Sequence, residues 1–153
     1  MNDVVENNLL GYIDGNRHIF PLMVFYEDTD AGGIVYHAQY LAFAERARSA
    51  MLNLLGFTNR SVAERHKGAI AVRHCTLDFR RAALLEDRLT VQSRLIKLGG
   101  ASLGFEQKVM RNDEELVVIE IYLACMSLQE LRAQRLPDDL RTVFSNYLDV
   151  NED

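Results

Sequence analysis

Proline is almost missing from this chain: Pro21 and Pro137 are the only two. Pro-rich linkers and collagen-like structure are thereby excluded. Cysteine is as scarce. Cys75 and Cys125 stand far apart, without the CxxC spacing of a redox motif or a zinc knuckle. Both fall in apolar, strand-like segments, where free thiols are usually buried. No apolar run approaches the ~20 residues of a membrane-spanning helix. The N-terminus, MNDVVENNLLGYIDGNRH, carries acids and amides where a secretory signal needs positive charge and then an apolar stretch. A cytoplasmic address is the default expectation. Positive charge is also in deficit, with 17 Lys plus Arg against 22 Asp plus Glu and a formal net charge of −5. Phosphate binding by charge needs a basic surface, so general nucleic-acid affinity is excluded. A local basic patch for a small phosphorylated ligand is not.

What is present is the balance of a soluble globular protein: 153 residues, 48% hydrophobic and 25% charged. That length gives one domain a real core and is too short for two ordinary ones. There is no repeat, charge block or low-complexity stretch. We expect a single domain over 1–153, with a core over about 18–130, an N-terminal extension at 1–17 and a short helix over about 138–148.

The segment HIFPLMVFYED (18–28) reads as a strand, with Pro21 at an edge or early position in it. Before it, Asp14-Gly15 offers a hairpin turn for a further strand. Residues 37–55 predict a long helix, because Tyr40, Phe43, Ala44, Ala47, Met51, Leu54 and Leu55 follow the spacing of one apolar face. Glu45, Arg46, Arg48, Ser49 and Asn53 cover much of the rest, and Gly56 stands where a C-cap is expected. Ser61 and Glu64 suggest a capping box for a short helix.

Strands follow over 69–81, 87–96, 101–111 and 115–127. The first shows a one-residue phase slip, the mark of a bulge. The last is nearly continuously apolar, as in a central strand covered on both faces. Gly99-Gly100 and Asn112-Asp113 mark antiparallel hairpins. The pattern predicts an α+β fold, an antiparallel sheet of about five strands wrapped around one long helix. Its open face and edges predict oligomerisation.

The stretch that carries chemistry is Tyr26-Glu27-Asp28-Thr29-Asp30-Ala31-Gly32-Gly33-Ile34-Val35-Tyr36-His37. Three carboxylates and two glycines stand between a strand end and a helix start. Helix starts offer unpaired N–H groups and partial positive charge, which suit a carbonyl or an oxyanion. Glycines let a substrate approach the backbone, and a carboxylate here can act as base or nucleophile. The same residues could form no more than an acidic turn that caps the helix.

YEDTDAGGIVYHAQYLAFAERAR closely resembles the signature of hotdog-fold acyl-CoA thioesterases of the 4-hydroxybenzoyl-CoA thioesterase type. It is most similar to the bacterial subfamily associated with the Tol-Pal cell-envelope system. The match is dense over 20–56 and continues more weakly through DFRRAALLEDRLTV to about residue 130. The resemblance implies a hotdog fold and hydrolysis of acyl-CoA to acid and CoA, with no metal or redox cofactor. Coenzyme A is then part of the substrate.

The resemblance assigns the catalytic carboxylate to Asp30. It assigns polarisation of the thioester carbonyl to the backbone N–H of His37, at the helix N-terminus beside Tyr36. Tyr26, Asp28, Thr29 and Gly33 match positions that shape the site. Another branch uses a Glu about two turns into the helix, a place that Glu45 roughly matches, so Glu45 is the reserve candidate. The His37 imidazole is suited to proton transfer near neutral pH, or it orients Asp30 or lines the pocket. His18, His66 and His74 have no ligand spacing. Relatives hold the CoA nucleotide with a basic run in a turn that here reads Leu98-Gly99-Gly100-Ala101, without charge. Arg80, Arg81, Arg94 and Lys97 are substitutes by proximity.

Hotdog domains pair into dimers and often tetramers, so the resemblance also implies a homo-oligomer in which Asp30 of one chain faces residues 70–81 of another. Two rivals stand beside the thioesterase: a hotdog hydratase or dehydratase pairing Asp30 with His37, and a non-catalytic module that binds acyl carrier protein or an envelope component.

Overall fold

The computed structural model describes residues 9–150. Residues 1–8 and 151–153, which include the first part of the expected N-terminal extension, lie outside the described residues. The elements in order are β1 (Tyr12–Asp14), β2 (Arg17–Met23), a 3-10 turn (Tyr26–Asp28), α1 (Gln39–Leu54), α2 (Asn59–His66), β3 (Gly68–Phe79), β4 (Arg88–Leu98), β5 (Ser102–Arg111), β6 (Glu114–Ser127) and α3 (Asp138–Ser145). The strands form one antiparallel sheet in the order β1-β2-β4-β5-β6-β3. Among the described residues it has six strands rather than about five, because the N-terminal hairpin forms: Asp14 pairs with Arg17 and the turn falls on Gly15 and Asn16. Pro21 lies past the end of β1, where β2 is an edge on that side.

Helix α1 docks on the inner face of the sheet. Phe43, Ala44, Ala47 and Met51 have no exposure and meet Val91, Leu95, Val109, Val117 and Ile119, which have none either. The N-cap residue Ala38 provides no side-chain cap, a loss of about 1 kcal/mol. Full burial of each large apolar side chain contributes roughly 1.5–3 kcal/mol. Docking therefore outweighs the missing cap, and backbone carbonyls instead take the Gln39 and Leu41 N–H groups of the first turn. The buried stripe includes Ala50 and Leu52 but not Leu54 or Leu55. Leu52 turns toward a second apolar wall formed by Leu103, Phe105, Leu123 and Phe144.

Several local features depart from expectation. β2 ends at Met23 rather than Asp28, because Val24 turns its backbone to Glu86 and Asp87 and the chain then coils into the 3-10 turn. The capping box of α2 is Thr58 with Ser61, so Ser61 is the third helical residue and not the cap. Only Cys125 is buried; Cys75 is partly exposed. β6 alternates rather than being covered on both faces, and Glu120 on its outer face is exposed. The bulge in β3 is present between Val72 and His74, and both hairpins lie where the glycines and Asn112-Asp113 place them.

A polar layer crosses the core. The fully buried Gln107 donates from Nε2 to the Ala44 carbonyl and to Ser93 Oγ, each at 2.9 Å, and its Oε1 accepts from Arg48 Nη1 at 2.9 Å. Arg48 is thus drawn inward rather than lying on the outer helix face, and burial lowers its guanidinium pKa. Beside this layer His18 is buried and donates from Nε2 to the Leu10 carbonyl at 2.7 Å, with Nδ1 unpartnered among the described residues.

Burial holds the His18 pKa below its ordinary value of 6.5, against the opposing pull of the Leu10 carbonyl. As pH falls through 6.5 the unfolded chain takes this proton before the folded one. Stability from His18 is therefore complete above that value and is lost below it. We expect the thermal midpoint to fall more steeply between about pH 7.5 and about pH 5.5 in the wild type than in His18→Gln. Equal slopes in calorimetry would contradict this.

Candidate active site

The loop between β2 and α1 is built from short backbone bonds. Asp28 Oδ2 accepts the Phe25 N–H at 2.8 Å, closing the 3-10 turn, and Oδ1 accepts from Gln39 Nε2 at 2.7 Å. Its carbonyl accepts the Tyr36 N–H at 2.9 Å. With 1% exposure and both carboxylate oxygens engaged, Asp28 shapes the loop and ties it to α1. Thr29 bridges to Val35 and donates from Oγ1 to the Tyr26 carbonyl at 2.8 Å.

Between these stems Asp30 closes a tight turn. Its N–H donates to the Ile34 carbonyl at 2.9 Å, and its carbonyl accepts the Gly33 N–H at 3.1 Å. Asp30 Oδ1 accepts the Gly32 N–H at 2.8 Å, while Oδ2 has no donor among the described residues. Gly33 has φ +80°, a conformation that favours glycine. Asp30 is exposed in the single chain. It therefore presents one anchored and one open oxygen.

The chain then reaches α1. The Gln39 N–H donates to the Tyr36 carbonyl at 2.8 Å, but the His37 N–H has no acceptor among the described residues. The His37 ring rests against the Tyr36 ring, 4.5 Å between centroids, and forms no hydrogen bond with Asp30. Tyr26 is 82% exposed and Tyr36 about half exposed. The loop so gathers an open carboxylate oxygen, an unpaired His37 N–H just ahead of α1 and flanking aromatic rings.

Glu45 is not part of this gathering. It lies further along α1, on the wall of a cavity of about 270 Å³ that it shares with Arg48, Leu52, Ile70, Phe105 and Phe144. No residue of 26–37 lines that cavity. Among the suggested phosphate-binding cations, Arg80 is engaged by Asp78 at 2.9 Å and by Glu115, Arg81 by Glu114 at 3.2 Å, and Arg94 by Glu106 at 3.3 Å. Lys97 lies 5.9 Å over the Tyr122 ring and forms no ion pair among the described residues. His66 lies 3.7 Å from Asp139, and the exposed His74 lies 6.3 Å from the Tyr122 ring.

Sequence reasoning missed the contacts that residues 82–87 make with the loop. Residues 82–87 run alongside it: Ile34 bridges to Leu84, and the Val35 N–H donates to the Ala83 carbonyl at 2.9 Å. Tyr40, read as core, is buried and also accepts the Ala83 N–H on its hydroxyl at 3.0 Å. Burial raises its pKa. Residues 82–87 gave no signal as partners of the loop in the sequence, because they stand far from it in the chain.

A sheet wrapped on one long helix, with an acidic loop at that helix's N-terminus, defines a hotdog domain of the thioesterase class. The chain belongs to the Thioesterase-like superfamily, whose family model matches residues 24–144. It is 40% identical over 129 residues to the acyl-CoA thioesterase YbgC of Haemophilus influenzae, covering 84% of this chain and 95% of that one. With the acyl-CoA thioester hydrolase YbgC of Escherichia coli O6:H1 it shares 37% over 127 residues, covering 82% and 93%. The crystal structure of a probable thioesterase from Bartonella henselae superposes with a TM-score of 0.75 at 37% identity, covering 79% of this chain and 99% of that one.

Proposed function

We propose that this chain hydrolyses the thioester bond of acyl-CoA, giving the free acid and CoA. The observation that carries the reading is the pairing, on one loop, of the open Asp30 oxygen with the unsatisfied His37 N–H. A developing oxyanion on the thioester carbonyl gains from a preorganised N–H that needs no reorganisation. Asp30 takes a proton from water as it attacks the carbonyl carbon, or attacks that carbon itself to give a mixed anhydride that water then opens. Either way the C–S bond breaks: in the first route Asp30 passes the water proton to the departing CoA sulfur, and in the second CoA leaves as the thiolate and takes its proton from the water that opens the anhydride. The reaction consumes one water and needs no metal or redox cofactor. Tyr26, Thr29, Gly33 and Tyr36 flank the substrate, and Asp28 holds the loop.

Hydration of an enoyl chain needs a paired acid and base. The His37 ring packs on Tyr36 instead of joining Asp30, which counts against that chemistry. The intact loop is also more than an acyl carrier protein-binding surface requires.

The protein works as a cytoplasmic homo-oligomer with an even number of chains. β3 supports this, for it is a twelve-residue edge strand with Val72 and Phe79 exposed. Exposed apolar edges invite strand pairing. The test is thiol release over a panel of acyl-CoA chain lengths, run beside hydration of an enoyl-CoA. Thiol release without hydration is expected. Hydration without thiol release would overturn the reading.

A further inference from the structure

The loop that carries Asp30 and His37 has two stems, and residues 82–87 grip both of them. On the entering side, the Val24 N–H donates to the Asp87 carbonyl and the Glu86 N–H donates to the Val24 carbonyl, both at 2.9 Å. On the leaving side, Ile34 bridges to Leu84 and the Val35 N–H donates to the Ala83 carbonyl. Ile34 in turn accepts the Asp30 N–H, and Val35 precedes Tyr36 and His37. Beside the bonds of Asp28 within the loop and to α1, the placement of the carboxylate and of the His37 N–H therefore depends on this short strap.

Side chains from two other elements hold the strap. Tyr40 of α1 accepts the Ala83 N–H on its buried hydroxyl at 3.0 Å. Arg111, the last residue of β5, donates from Nη1 to Asp87 Oδ2 at 2.7 Å and reaches the Ala82 carbonyl at 3.3 Å. The same Asp87 oxygen accepts the Leu84 N–H at 2.8 Å, which closes the strap on itself. Glu114 lies 3.5 Å from Arg111 Nη2 and fixes the outer side of the guanidinium.

We infer that Tyr40, Asp87 and Arg111 are positioning residues for the reaction. They lock residues 82–87 between helix and sheet, and the strap in turn sets Asp30 and the His37 N–H in register with each other. None of the three touches substrate. The inference rests on the thioesterase reading of the loop. Its physical basis is that a reacting group displaced by about 1 Å can lose on the order of 100-fold in rate.

Two deletions test it. Tyr40→Phe keeps the ring packed against Phe43 and Phe79 and removes only the acceptor oxygen. Arg111→Gln removes the pair with Asp87, and Arg111→Lys restores its charge. We expect kcat for thiol release to fall about 10- to 100-fold in Tyr40→Phe and Arg111→Gln, with KM within about threefold of wild type. Arg111→Lys should recover part of the loss. Amide exchange in residues 30–36 should quicken in both deletions while β4, β5 and β6 exchange as before. A kcat within about twofold of wild type in both deletions overturns the inference. So does unchanged exchange in 30–36, or exchange that rises evenly across the sheet. If the wild type releases no thiol, the functional reading fails, and the exchange arm still decides whether the strap sets the loop.

Discussion

Asp30→Asn is expected to lower thioester turnover at least ~100-fold while the protein stays folded, since loss of a general base typically costs 10²–10⁴. The substitution is nearly isosteric. An Asn oxygen can still accept the Gly32 N–H, so the turn that Asp30 closes survives. What disappears is the negative charge on the open oxygen, which the water route and the nucleophilic route both require. Turnover near wild type in a well-folded Asp30→Asn protein would refute the assignment. If Glu45→Gln alone were inactive, the chemistry would move to the cavity wall where Glu45 lies beside Arg48.

The second large effect concerns assembly. Val72 is 52% exposed on an edge strand, and a charge on such a strand blocks pairing with a second chain. We expect Val72→Lys to leave a folded monomer near the 17.5 kDa chain mass with at least ~100-fold less activity. The physical reason is that the loop stands open in one chain. Asp30 and His37 are exposed there, and no residue of 26–37 lines the neighbouring cavity. On the proposed reading, a second copy paired along β3 would supply the missing wall and exclude water. Light scattering at assay concentration decides: an active species at the monomer mass would sink the shared-site idea.

Much of this was legible in the sequence where the signal is local. The spacing of Phe43, Ala47 and Met51 defined α1, and the phase slip after Val72 marked the β3 bulge. The order of elements followed, because short turns force antiparallel neighbours. The end of β2 was not legible, since Val24 and Phe25 are as strand-prone as the residues before them. It is decided by residues 86 and 87, far along the chain. Arg48 read as a surface cation because its partner Gln107 sits on another strand. Within the site, the resemblance picked out Asp30 and His37. It also gave Asp28 a shaping role, whereas the loop's residues read alone did not separate the anchored Asp28 from the open Asp30, because that distinction depends on Gln39 and Phe25 as donors. The strap and its anchors were invisible for the same reason: tertiary contacts place them.

The most direct test of the central claim is mass analysis of the products when the protein turns over an acyl-CoA in ¹⁸O-labelled water. The account predicts one free CoA thiol for each acid released, and solvent ¹⁸O in the carboxyl group of that acid. It would be contradicted by an acyl chain that stays on CoA, whether unchanged or with labelled oxygen on a chain carbon.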